Sequence, residues 1–216
     1  VRIDALAYYQ QCLMAEYPHG QEDTEMRPQF HKVVVSSGHM IDLPDRPHPR
    51  FPPGKEGIVR VRLAQQLENW GIGANDVAIC GGARGSDILF AELCLERGAH
   101  IRLLIALPEE EFLTASVQLP GSDWEQRYCA LRHHPQVETC FQDEHLGALP
   151  QDTSPFARNN LWIINTAQAE AASGNLYAVL VWDEQPTGDG PGGTSHFAEA
   201  IRRLGGHLAV INPTEL

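Results

Sequence analysis

The chain has 216 residues, 43% of them hydrophobic, and a formal net charge of −12 at neutral pH. That length supports one substantial core with extra segments, and no apolar run approaches the ~20 residues of a membrane span. Only Lys32 and Lys55 are lysines, and without a basic face to release counterions from a phosphate backbone the chain is not expected to bind duplex nucleic acid.

Residues 2–17 have the periodicity of an amphipathic helix, with Ile3, Leu6, Tyr9 and Leu13 on its apolar side. The polar stretch that follows reads as a linker. Residues 1–30 are therefore expected to be the end of a preceding helical region. The chain opens on a valine with no signal-peptide pattern, and reads as a piece of a longer protein. From residue 31 to 216, short apolar strands alternate with helices. HKVVVSS is a first strand and GIVRVRLAQQLENWG a helix stopped by Gly71. DVAIC is a second strand, and SDILFAELCLERG a helix with Ser86 as its expected N-cap and Gly98 as its stop. Between the first strand and the first of these helices, DLPDRPHPRFPPG is too rich in proline for a helix or strand interior and reads as a lid-like loop. IRLLIAL is a third strand. PEEEFLTASV and SDWEQRYCALRHH open with acids suited to a helix N-terminus. QVETCF, LYAVLVW and HLAVIN are three further strands, separated by the helices FARNNLWIINTAQAEAAS and SHFAEAIRRLG.

Strands that are apolar without alternation, each followed by a helix, predict an α/β fold. The expected form is a Rossmann-like, doubly wound and mostly parallel sheet of about six strands, with helices on both faces. Five cysteines (Cys12, Cys80, Cys94, Cys129 and Cys140) show no CxxC spacing, which fits buried thiols in a reducing cytoplasm. No metal-ligand pattern and no cofactor motif stands out. A homodimer and a helical neighbour, fused or docked, are left open.

In such sheets ligands bind beyond the carboxyl ends of the strands, and three turns there are unusual. SSGHMID carries Gly38 and His39 after the first strand. CGGARGSD carries Gly81, Gly82 and Gly85 into Ser86 and Asp87. PGGTSHFAE carries Gly192 and Gly193 into Thr194, Ser195 and Glu199. A glycine turn entering a helix presents bare N–H groups and the positive end of the dipole to an anion, most often phosphate.

The order of these motifs resembles the LOG-like branch of the SLOG superfamily, over roughly residues 31–211. CGGARGSDILFAELCLERGAHIRLLIALP is similar to the family's strand–GGGxxGLMG–helix–strand unit, PFARNNLWI to its MHxRK helix, and PGGTSHFAE to its PGGxGTxxE turn. The resemblance implies a phosphate held by the Gly81–Gly85 and Gly192–Ser195 turns, with Arg158 and Glu199 as a catalytic pair for N-glycosidic cleavage. Glu199 would stabilise a developing ribosyl cation and Arg158 would hold the phosphate or ribose. The departures are Ala83 at the third glycine, SDI for LMG, Ser195–His196 for Gly-Thr, and Asn159 for the lysine. With the motifs altered around the phosphate, the expectation is a sensor domain for a phosphorylated nucleotide or nucleotide-derived signal. Phosphoribohydrolase-like turnover and a ligand-free scaffold are the alternatives. Asp87 could read a ribose hydroxyl or merely occupy the first turn of its helix, and Arg46 and Arg50 could close over phosphates.

Overall fold

The computed structural model describes residues 30–185 and 193–216. The expected N-terminal helix and Gly192 lie outside the described residues. Six strands form one sheet: β1 (Val33–Gly38), β2 (Val77–Cys80), β3 (His100–Ile105), β4 (Val137–Phe141), β5 (Leu176–Val181) and β6 (His207–Ile211). All neighbours pair in parallel, in the order β4-β3-β2-β1-β5-β6. The chain thus starts at the centre, winds outward to β4, and returns to the other side of β1. This is the doubly wound Rossmann-like sheet expected from the alternation of elements.

The reason lies in the side chains of the central strands. In β1, Val33 and Val35 enter one core and Val34 the other, each fully buried. A strand with two buried faces needs helices above and below. On one face lie α1 (Glu56–Asn69), α2 (Ser86–Glu96), α3 (Glu109–Phe112) and α4 (Trp124–Arg132). They contribute Leu63, Leu67, Ile88, Phe90, Phe112 and Tyr128 to the first core. After the short α5 (Gln142–Leu146), α6 (Pro155–Glu170) and α7 (Thr194–Arg203) cover the other face through Trp162, Ile163, Phe197 and Ile201. Arg127 on α4 fastens the first layer. It lies over the Trp124 ring, donates two hydrogen bonds to Glu92 on α2 and one to Glu56 on α1.

Three local expectations shift. The run PEEEFLTASV is not one helix: α3 ends after four residues and residues 113–117 form a π-helical turn. α2 begins at Ser86 with Gly85, not Ser86, at its N-cap, and α7 begins at Thr194 with Gly193 in that place. The five residues of α5 have too little periodicity to be seen in the sequence.

The chain reverses direction of winding between β1 and β5, where Gly38 faces Val181 in register. A Cβ at Gly38 would fall 2.5 Å from the Val181 carbonyl oxygen and 3.0 Å from Ser86 Oγ. Gly38→Ala should therefore lower unfolding stability in urea by about 2 kcal/mol, as overpacking against rigid backbone does. Gly54→Ala, where no atom lies within 4 Å, should leave the midpoint unchanged or raised.

Candidate ligand-binding site

A cleft of about 1010 Å³ opens at the carboxyl ends of β1, β2 and β3. This is the crevice beside the switch point that doubly wound sheets offer to ligands. Its walls come from the β1 turn and the proline-rich loop, the β2–α2 turn, the π-helical turn, and the starts of α6 and α7. Three helix N-terminal turns therefore meet at one cavity: Ala83 to Asp87 before and within α2, Ser154 to Asn160 of α6, and Gly193–Thr194 of α7. Each carries the positive end of a helix dipole.

The floor is polar. The Asp87 carboxylate accepts from the Ala83 N–H (3.3 Å) and from Ser86 Oγ (3.2 Å). Burial pushes its pKa up to about 7, although the Ala83 N–H, the Ser86 hydroxyl and the Gly81 N–H each pull it down. Asn159 Nδ2 donates to the Leu104 carbonyl at 2.7 Å, and Asn159 Oδ1 accepts from Gln142 Nε2 at 3.4 Å. Gly81 is the window onto both side chains: a Cβ there would lie 3.0 Å from Asp87 Oδ2 and 3.7 Å from Asn159 Nδ2. Ser36 Oγ, on a residue only 1% exposed, lines the same cleft with no hydrogen-bond partner.

Arg84 is the unusual cation. It is 6% exposed, and its Nε and Nη1 donate to the carbonyls of Ile41 (3.3 Å) and Gln118 (3.4 Å). No carboxylate among the described residues pairs with it, and burial lowers its pKa. The neighbouring loops are tied more conventionally. Asp42 Oδ2 accepts from the N–H groups of Arg50 (2.7 Å) and Phe51 (2.8 Å), folding the proline-rich loop back on itself. Asp42 Oδ1 is 3.4 Å from Arg46 Nε, an ion-pair contact without a hydrogen bond. Arg50 Nε donates to Asp183 Oδ2 at 3.2 Å. His39 Nε2 sits 3.0 Å from Asp183 Oδ1 and 3.2 Å from the Asp183 N–H. A proton on that nitrogen serves the carboxylate and its absence serves the amide. Burial works to raise the Asp183 pKa, but the His39 and Gln185 hydrogen bonds and the charges of His39 and Arg50 outweigh it and hold it low.

Of the residues singled out from the sequence, Gly38, His39, Gly81, Asp87, Asn159, Gly193 and Thr194 line this one cleft. Gly82 does not. A Cβ on it would point at Ile105 and Tyr128, inside the core. Gly85 has φ 92° and meets the backbone of the β1 turn, where a Cβ would fall 2.6 Å from the Ile41 nitrogen; it packs loop on loop. Ser86 is buried behind it, with its N–H donating to the His39 carbonyl at 3.3 Å. Ser195 is half-buried and not among the lining residues. Arg158 donates to the carbonyls of Leu146, Gly147 and Ala148, closing the end of α5. Glu199 is 53% exposed and pairs with Arg203 at 2.7 Å, one turn along α7. Neither member of the inferred catalytic pair lines the cleft.

Arg84, Ser36 and Phe156, which is exposed at the cleft mouth, were not singled out from the sequence. The sequence signal for Arg84 is a lone cation inside a glycine turn. Ser36 marked the polar end of an apolar strand. Asp183 gave no signal, because its partner His39 is 144 residues away.

No family model and no curated protein matches the chain. Among solved structures, it is similar to the structural-genomics target TM1055, at 16% identity and a TM-score of 0.40, covering 82% of this chain and 72% of that one. It is similar to DNA processing protein A (DprA) from Streptococcus pneumoniae, at 13% identity and 0.44, covering 84% of this chain and 50% of that one. It is also similar to the Moco carrier protein from Chlamydomonas reinhardtii, at 12% identity and 0.32, covering 85% and 91%. The chain spans half the length of the DprA structure it matches. No helix among the described residues is long and apolar enough to cross a membrane.

The Asp87 shift has a consequence for stability. An acid whose folded pKa is raised binds its proton more tightly in the native state, so stability is greatest below the unfolded value of 3.8 and is lost as pH rises to about 7. Asp87→Asn should therefore stabilise the protein more at pH 8 than at pH 4.5, as read from urea midpoints at the two pH values. An equal effect at both would contradict a neutralised buried acid.

Proposed function

We propose that the cleft binds a phosphorylated nucleotide or nucleotide-derived signal, and that the domain acts as a sensor within a larger protein. The observation that carries this reading is Arg84. A buried guanidinium without a carboxylate, set where three helix N-terminal turns meet, is a favourable place for an anion and an unfavourable one for nothing. The cleft volume falls in the range of small-molecule and cofactor sites, at their upper end. The exposed Phe156, with Met40 and Leu43, lends the mouth an apolar surface on which a base could stack. The resemblance of the glycine turns to those of LOG-like SLOG proteins points to the same class of ligand.

Binding is favoured over N-glycosidic hydrolysis by the places of Arg158 and Glu199. The first holds a loop end through three carbonyls, and the second faces solvent beside Arg203. A carboxylate that stabilises a ribosyl cation must stand at the bond being broken.

A thermal-shift panel of nucleoside mono-, di- and triphosphates, ADP-ribose and cyclic dinucleotides tests the reading. A binder present at about 100 times its Kd should raise Tm by roughly 5–10 °C. The rise should disappear in Arg84→Met and Gly193→Trp, persist in Glu199→Gln, and come with no free base released. No shift with any member, or a shift untouched by Arg84→Met, would contradict it. Release of base abolished by Glu199→Gln would make the protein a hydrolase instead.

A further inference from the structure

Two buried groups of opposite charge open on the cleft, and neither is paired. Arg84 lacks a carboxylate, and Asp87 lacks a basic partner among the described residues. No ion-pair contact joins the two, and burial disfavours the charged form of each. A ligand able to satisfy both must carry an anion at one end and hydrogen-bond donors at the other.

The surroundings of Asp87 narrow the second end. Asp87 Oδ2 and Asn159 Nδ2 both flank the bare face of Gly81 in the cleft: a Cβ on that glycine would lie 3.0 Å from the first and 3.7 Å from the second. The first is an acceptor. The second is an amide donor that uses one hydrogen on the Leu104 carbonyl at 2.7 Å and keeps another. The Gln142 contact to Asn159 Oδ1 fixes which way the amide faces. An ammonium group could use the carboxylate but would meet the amide's hydrogens. A hydroxyl can donate to one and accept from the other, and two adjacent hydroxyls can engage both groups at once.

From this geometry we infer that Asp87 and Asn159 bind the vicinal diol of a ribose, while Arg84 holds the anionic end of the same ligand. The inference rests on the proposed nucleotide-binding reading and adds to it a preference for ribo- over deoxyribonucleotides. Ligand hydroxyls would add donors to those the buried carboxylate already has from Ala83, Ser86 and Gly81, favouring its charged form against the desolvation that raises its pKa to about 7. Ser36, whose hydroxyl has no partner in the same cleft, marks a further polar contact for the sugar.

Calorimetric titration with AMP and UMP, each beside its 2′-deoxy counterpart, tests this. The wild-type protein should bind the ribo forms about tenfold more tightly, the worth of one hydrogen bond to a charged group. Asp87→Asn should bring ribo affinity down to the deoxy level and leave deoxy affinity within about twofold. Gly81→Ala, which places a methyl 3.0 Å from Asp87 Oδ2 without removing its charge, should do the same and covers the case in which Asp87→Asn fails to fold. Arg84→Met should weaken all four ligands alike. Binding with no ribo preference in the wild type overturns this inference and leaves the nucleotide reading standing. A preference that survives both variants overturns the assignment to Asp87. No binding by any of the four overturns the inference and, with a silent thermal-shift panel, the nucleotide reading as well.

Discussion

A guanidinium buried without an acid beside it is the constraint on which the rest of the cleft depends. Removing a charge from water is costly, and proteins usually recover that cost with an opposite charge at close range. Arg84 instead has two carbonyl oxygens, from Ile41 and Gln118. These partial charges orient the group and bridge two walls of the cleft, yet they leave a net positive charge. The starts of α2, α6 and α7 add to it. A chain with a net charge of −12 thus sets a cation without a carboxylate partner in a cleft that Asp42, Asp45 and Asp87 also line, so the charge an anion would meet there is local to Arg84 and the helix starts.

The hollow is held open by bonds that do not involve its floor. Asp183, just past β5, receives His39 from the β1 turn and Arg50 from the proline-rich loop. Asp42 folds that loop through two backbone N–H groups. Gly85 lets the β2–α2 turn press against the β1 turn, backbone to backbone. Three loops from different parts of the chain are thereby fixed before any ligand arrives. A preformed site loses less ordering entropy on binding than one assembled by its ligand.

How much of this was legible in the sequence follows from the range of each interaction. Strands β1 to β6 were readable because burial on both faces imposes continuous apolar runs, as in Val33–Val35 and Leu176–Val181. That Gly81 and Gly193 would share an edge followed from strand order in this kind of fold, and they line one cleft. The direction each glycine faces was not readable. Gly81 opens to the cleft while Gly82 faces the core and Gly85 packs on another loop, because a few degrees of turn geometry decide it. Motif resemblance points to Arg158 and Glu199, yet Arg158 holds three local carbonyls and Glu199 pairs with Arg203 at the surface, and neither lines the cleft. Arg84 lies inside the CGGARGSD turn, but only tertiary packing shows that no carboxylate among the described residues pairs with it. Pairings such as His39 with Asp183 belong to contacts that no local pattern encodes.

The most direct measurement is backbone amide chemical-shift mapping by NMR as ADP-ribose is added. An anion in the cleft should move the amides of Gly81, Ala83, Arg84 and Thr194 together, along one saturating curve. Movement confined to Glu199 and Arg203, or to the opposite edge of the sheet near Gly71 and Gly98, would contradict a cleft-bound anion.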